Sequence, residues 1–217
     1  HPLLHVRLFF ENKRFARSSY AALLNYAAVY AVTYMVSLYL QSVGQLNAAE
    51  AGMIMLFQPL IQVVATPVAG KISDKVDAKY LVTGGMILTI VGLLFLSGLG
   101  LSMTNVAGYI MVTQVFIALG AALFSAPNTS TIMGSVAPAE YSMASSVVSV
   151  VRQAGMLISM AVCMAAISFF VGGADMLGPS MYAEFVDALR VSMLISAGIA
   201  VAGVFFSWFR GTAPNLK

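Results

Sequence analysis

Long stretches of this 217-residue chain contain no Asp, Glu, Lys or Arg, among them residues 18–49, 51–70, 80–139 and 191–209. About 20 apolar residues are enough to carry a helix across a bilayer, so each stretch can cross at least once. Residues 80–139 are long enough for two crossings, and Gly98, Gly100, Ser102, Thr104 and Asn105 supply the break between them. Only 9% of the residues are charged and 60% are hydrophobic, against roughly a quarter charged in soluble domains. A water-facing exterior cannot be assembled from such a composition. In hydrocarbon every backbone N–H and C=O needs a partner within the protein, and these segments are too long and uniformly apolar for barrel strands. The expected fold class is therefore all-α, integral membrane. Six transmembrane helices are expected at about 18–42, 50–72, 80–100, 106–133, 140–170 and 187–209, with a lead-in over 1–17 and a tail over 211–217.

The basic residues orient these spans. Arg7, Lys13, Arg14 and Arg17 precede the first, Lys71, Lys75 and Lys79 flank the second connection, and Arg210 and Lys217 follow the last. The connections near 42–50, 100–106 and 171–186 have neither Lys nor Arg. The positive-inside bias then places both termini and the Lys-rich loop in the cytoplasm, with the plasma membrane as the expected location. The connection at 134–141 belongs to the same side although its one charge is Glu140. On this reading the net charge of +3 reports topology, and no nucleic acid is expected as a partner.

Enzymatic chemistry finds little support. Cys163 is the sole cysteine and lies among Ala and Met, as a small buried thiol would, so cysteine offers neither a disulfide framework nor a metal site. There is no Gly-rich phosphate loop and no paired-His ligand motif, and no cofactor is expected. His1 and His5 fall in the polar lead-in and read as solvated. A chain that begins at His1 without a signal peptide reads as a piece of a longer protein.

Helical spacing selects the polar groups that share a face. Tyr26, Tyr30 and Tyr34 recur every four residues, beside Asn25, Thr33, Ser37 and Gln41. Such rings suit amphipathic or cationic organic molecules, and equally suit helix packing or an interfacial belt, which also accounts for Tyr20 and Tyr39. Gln58, Gln62 and Thr66 form a second row next to Pro59 and Pro67, which can bend the helix and free carbonyls; a ligand or a neighbouring helix would satisfy its amides. Gln114 and Asn128 share a face of the fourth helix. Arg152, next to Gln153, lies well inside the fifth segment, where an ionisable group suggests function; Asn128 is its expected polar contact. Rows of small residues (Ala118, Ala122, Ala126; Ser142, Ser145, Ser146, Ser149; Gly155, Ser159) are expected to be packing faces, and most of the 14 methionines packing residues. No carboxylate occurs in the apolar body of any segment.

The loop Gly70-Lys71-Ile72-Ser73-Asp74-Lys75-Val76-Asp77-Ala78-Lys79 resembles the second copy of the loop motif of the major facilitator superfamily, with Gly70, Asp74, Lys75 and Lys79 in matching places. It departs at Asp77, where the motif has glycine, and at Ala78, where it has a basic residue. Ala126-Pro127-Asn128, Ile132-Met133-Gly134-Ser135-Val136, Ala144-Ser145 and Val151-Arg152-Gln153-Ala154-Gly155 are similar to the 14-helix drug and proton antiporter branch of that superfamily. So are Pro2-Leu3-Leu4, Arg7-Leu8-Phe9, Phe15, Leu38-Tyr39-Leu40-Gln41 and Ala51-Gly52. The resemblance implies a C-terminal six-helix half built from an inverted 3+3 repeat, partnered by a missing N-terminal half across a central cavity. It also implies proton-coupled efflux of small, drug-like organic compounds by alternating access, with the proton-binding carboxylates in the missing half. Arg152 is then either a structural residue or a cavity residue. The competing expectation is a self-contained six-helix channel, or a non-transporting assembly component that pairs with itself.

Overall fold

The computed structural model describes residues 12–101, 103–172 and 178–209. Most of the lead-in, including His1, His5 and the residues from Pro2 to Phe9, lies outside the described residues, as do Arg210 and the tail. The described chain is helical throughout its long segments and supplies six helices long and apolar enough to cross a membrane.

Local chemistry sets where each helix begins. Helix α1 (Lys13–Ser42) starts at Lys13 rather than near 18, because the Asn12 side chain accepts a hydrogen bond from the Phe15 N–H and caps the first turn. Asn47 and Glu50 form a reciprocal capping box at the start of α2 (Ala48–Met55). The expected single span at 50–72 is interrupted at Leu56 and resumes as α3 (Phe57–Ser73). Pro59 has no N–H to offer the Met55 carbonyl four residues earlier, so the ladder is weakest at that point. Asp77 caps α4 (Ala78–Ser97) through the Lys79 N–H at 2.8 Å, and Asn105 caps α5 (Val106–Met133) through the Gly108 N–H at 3.0 Å. Short 3-10 turns, Pro138–Glu140 and Pro179–Met181, lead into α6 (Tyr141–Phe170) and α7 (Tyr182–Trp208). Helix α7 begins at Tyr182 and not near 187, since Glu184 sits in its first turn, where the helix dipole favours an anion.

Side-chain ties fix which ends share a face. Arg17 at the start of α1 donates to the Phe209 carbonyl after α7, Asn12 donates to the Ser135 carbonyl after α5, and the Lys79 ammonium lies 4.2 Å from the Trp208 ring. These contacts define a basic face. At the opposite face the Tyr39 hydroxyl donates to the Gly100 carbonyl at 2.6 Å and Gln45 to the Tyr182 hydroxyl at 2.9 Å. Arg190 also belongs to that opposite face, donating to the Ser97 carbonyl at 3.3 Å and pairing with Asp187 at 3.5 Å. That cation, in the first turn of the expected helix at 187–209, runs against the charge asymmetry of the loops.

Helix neighbours reveal an internal symmetry. Treat α2 and α3 as one span, and exchange the first three spans with the last three. The pairing of α1 with α6 then becomes that of α5 with α3, the pairing of α1 with α7 becomes that of α5 with α4, and α4 against α7 maps onto itself. All five are the main packing contacts of the bundle. Because each repeat has an odd number of spans, the two copies are inverted. The six spans thus form one bundle with an inverted 3+3 repeat, the arrangement that the resemblance implies.

Close backbone approach holds the repeats together. Gly85 and Gly120 face each other across α4 and α5; a Cβ at Gly85 would lie 2.7 Å from the Gly120 carbonyl oxygen. The main apolar core, including Met35, Tyr39, Leu93, Leu96, Ile117, Phe185 and Met193, lies between α1, α4, α5 and α7. Covering is uneven around it. The second span buries only 11% of its most apolar stretch and the fifth 22%, against 39–50% for the others. Those two spans exchange with each other in the symmetry.

Candidate functional site

One polar cavity of about 580 Å³ lies beside α1, framed by the two least-covered spans. Helix α1 supplies Asn25, Tyr26, Tyr30, Thr33, Tyr34 and Ser37, the four-residue spacing turning them to one side of the helix. Across from it α2 and α3 contribute Met55, Gln58 and Gln62. The remaining walls are Ala121, Phe124 and Ser125 of α5 with Met156 and Met160 of α6. The two faces expected separately, the tyrosine row and the Gln58–Gln62 row, thus meet across one space.

The α1 and α3 rows differ in how their polar groups are held. Tyr30 and Tyr34 are 50% and 40% exposed, with hydroxyls free to meet a ligand, whereas Asn25 is buried and its Oδ1 has no donor. The Thr66 hydroxyl donates to the Gln62 carbonyl at 2.6 Å and so belongs to the helix backbone of α3, not to the cavity. Gln41 folds back onto Ser37 of its own helix.

Gln114 faces a neighbouring space of about 320 Å³ bounded by Val32, Thr33, Gly52, Met55, Leu56, Gln58, Pro59 and Gln62. The two spaces share Thr33, Met55, Gln58 and Gln62, so they are adjoining bays of one site. The interruption at Leu56 forms part of the second bay. Gln114 is 3% exposed and its Oε1 also lacks a donor.

Asn128 and Arg152 take different positions. Asn128 is buried between α5 and α1, where its amide donates to the Ser18 carbonyl at 3.2 Å, and it is not among the residues lining either bay. Arg152 is exposed on this bundle and lies over the Tyr26 ring, 5.1 Å from its centroid. Tyr26 lines the cavity, so the guanidinium lies beside the site. A contact of this kind contributes about 0.5–1 kcal/mol when exposed and more when water is excluded.

The serine row of α6 departs from expectation. Ser142, Ser145, Ser146 and Ser149 are exposed, not packed; Ser146 and Ser149 turn their hydroxyls back onto the carbonyls of Ser142 and Ser145. Ser142, Ser145, Ser149, Arg152 and Met156 follow at intervals of three and four and mark one stripe, leading from the basic face to the cavity wall. Gly155 and Ser159, by contrast, do pack against α1, with the Ala31 N–H donating to Ser159 Oγ at 2.9 Å. Ala118 and Ala122 are buried as well.

The loop motif residues cluster at the basic face. Lys75 and Asp74 are exposed, Gly70 and Lys79 partly covered. Asp77, the residue that departs from the motif, is the one that caps a helix N-terminus, whereas Asp74, for which the sequence suggests that role, ends the preceding helix. A cap needs a short acceptor directly before the first turn, and Asp77 occupies that position.

The geometry can bind and orient an organic solute: rings to stack on, carboxamides and hydroxyls to hydrogen-bond, sulfurs that adapt in shape. The riboflavin transporter RibZ of Clostridioides difficile (strain 630) is 29% identical to this chain over 144 residues, a match covering 66% of the chain and 31% of that protein. The matched stretch thus spans about a third of the relative's length. The Major Facilitator Superfamily profile matches residues 19–217, from the first span to the last residue. A six-span inverted bundle, a solute-sized polar cavity and a match over nearly the whole chain agree: the protein belongs to the Major Facilitator Superfamily of membrane transporters.

Proposed function

We propose that this chain is the C-terminal half of a 14-helix transporter of the plasma membrane, with both of its ends cytoplasmic, that exports drug-like organic compounds in exchange for protons. The observation that carries the reading is the cavity of about 580 Å³ beside α1, within the roughly 300–1,000 Å³ range of small-molecule sites. It is framed by the two spans with the most uncovered apolar surface, where Leu60, Val63, Val64, Leu157 and Phe169 are all more than 60% exposed. An N-terminal half seated on those spans would close the cavity and leave it between the two halves. Rocking of the halves then opens it alternately to each side, with no covalent step.

Each group has a physical role. Tyr26, Tyr30 and Tyr34 stack on an aromatic or cationic solute, and Asn25, Gln58, Gln62 and Gln114 orient it. Arg152, beside Tyr26, ends the polar stripe of α6 and sets the charge at the cytoplasmic approach. The polar groups of the lining are tyrosines, amides and hydroxyls, set among apolar and thioether side chains, so the proton-binding carboxylates are assigned to the other half.

The test uses the full-length transporter in proteoliposomes with an imposed pH gradient and ethidium as the solute. Accumulation should follow the gradient and fall in Tyr30→Ala and Arg152→Ala. Flux indifferent to the gradient, or proton-coupled exchange by the six-helix chain alone, would defeat the proposal. The similarity to a riboflavin transporter favours a second reading, in which the tyrosine rings stack on a flavin and the amides meet its polar edge. Gradient-independent exchange of riboflavin in the same vesicles, with no ethidium flux, would select it.

A further inference from the structure

The amides of Asn25 and Gln114 stand out among the polar groups of the site. Each belongs to a side chain at least 95% buried within this bundle, and each has an acceptor oxygen with no donor. A buried carbonyl left unpaired costs about 1–3 kcal/mol, so two such groups on the walls of one cavity require an explanation. Neither amide gives up an acceptor bond when it turns about its last torsion, and that torsion is broad. As they stand both oxygens are shut off from the bays, and such a turn, which moves the N–H groups inward, presents the acceptor to whatever enters.

Their separation follows from the packing register. Helices α1 and α5 run in opposite directions, and the Asn128–Ser18 hydrogen bond pins the alignment. Continuing that register places Ala121 opposite Asn25 and Gln114 opposite Val32, in agreement with the bays each pair lines. Gln114 thus lies level with a point seven residues beyond Asn25 along α1, about 10 Å at 1.5 Å per residue. Tyr26 and Tyr30 stand between the two levels.

We infer that the site recognises an elongated aromatic solute bearing hydrogen-bond donors at both ends, one met by Asn25 and the other by Gln114. This deepens the cavity reading above and rests on it. The tyrosines supply affinity for any flat ring; the two amide acceptors supply the selection. A solute with methylated ends leaves both oxygens unpaired, as they are in the empty bundle, and gains nothing from them. Gln58 and Gln62, shared by both bays, are partly exposed and carry both donor and acceptor, so they discriminate less.

Two acridine dyes separate these contributions. Proflavine carries an amino group at each end of its tricycle; acridine orange has the same ring with every amino hydrogen replaced by methyl. Binding of both to the purified full-length transporter is measured by fluorescence titration for the wild type, Gln114→Leu and Asn25→Leu. Each substitution should weaken proflavine by about ten-fold and change acridine orange by less than about two-fold. Retained acridine orange binding shows that the variant is folded. Equal losses for both dyes, or unchanged proflavine binding in both variants, would overturn the inference while leaving the cavity reading in place. Failure of the wild type to bind either dye would overturn the cavity reading, and the donor inference with it.

Discussion

The cavity helix and the arginine helix approach closely at Gly155, and Gly155→Ala tests whether that approach positions the site. A Cβ at this position would lie 2.6 Å from the Leu23 carbonyl oxygen, 2.8 Å from Tyr26 Cβ and 3.1 Å from the Ala27 nitrogen. Ordinary contact begins near 3.4 Å, so α6 must withdraw from α1 by about 0.8 Å. The obstacles are backbone atoms and a Cβ, which no rotamer change can move. Overpacking of this kind costs about 1–3 kcal/mol, and the better helix propensity of Ala returns at most about 1 kcal/mol. The net expectation is a loss of up to about 2 kcal/mol, read as a lowered Tm in thermal unfolding of the purified full-length protein. Gly84→Ala in α4 is the control, because its Cβ would meet nothing within 4 Å and only the propensity gain remains. The withdrawal also separates Arg152 and Met156 from Tyr26, so transport should fall further than the Tm change alone would produce. If Gly155→Ala is as stable and as active as Gly84→Ala, the α1–α6 approach does not hold the site, and the reasoning fails.

Three further substitutions separate structural from cavity roles. Tyr30→Ala should weaken solute binding by about three- to ten-fold, the worth of one aromatic contact, while Tyr20→Ala, whose ring packs on Phe206, should leave binding unchanged in the same titration. Asn128→Leu removes the donor to the Ser18 carbonyl and should cost about 1–3 kcal/mol in thermal unfolding without altering the ratio of affinities for two dyes. Asp77→Ala deletes the α4 cap and should lower stability by about 1 kcal/mol, measured the same way, whereas Asp77→Asn should retain most of it.

The spans could be read from sequence because hydrocarbon permits one backbone solution, and runs without charge mark where it applies. The faces were readable within each helix for a similar reason, since Tyr26, Tyr30 and Tyr34 cannot avoid sharing a side. What helical period cannot show is which neighbour covers that side. Asn128 and Gln114 share a face of α5, yet α1 covers the first and a bay opens before the second. The serines of α6 have the spacing of a packing face and are left open by the bundle. The interruption at Leu56 was foreshadowed only by Pro59, because a proline frees one carbonyl without fixing whether the helix bends or breaks. Arg190 pairs with Asp187 one turn before it on α7, but its second partner, the Ser97 carbonyl, is met only when α7 packs on α4.

The symmetry of the bundle and the asymmetry of its cavity point to a division of labour. In the inverted repeat α1 exchanges with α5 and the α2–α3 span with α6, so a symmetric sequence would line the cavity with matching groups from each pair. It does not. The first repeat contributes the tyrosines, Asn25, Gln58 and Gln62, while the facing wall from the second is Ala121, Phe124, Met156 and Met160, with Ser125 its polar member. Directional groups fix a ligand only when held by a firm scaffold, and α1 is among the most deeply packed helices of the chain. Thioethers reshape at low cost, and those of Met55, Met156 and Met160 lie on α2 and α6, in the two least-covered spans. The tyrosines and Asn25 are thereby held on a firmly packed helix, and the adaptable thioethers on the two spans most exposed to whatever packs against this bundle. On the function proposed above, a cavity divided in this way keeps its polar grip on a solute while the opposite wall shifts.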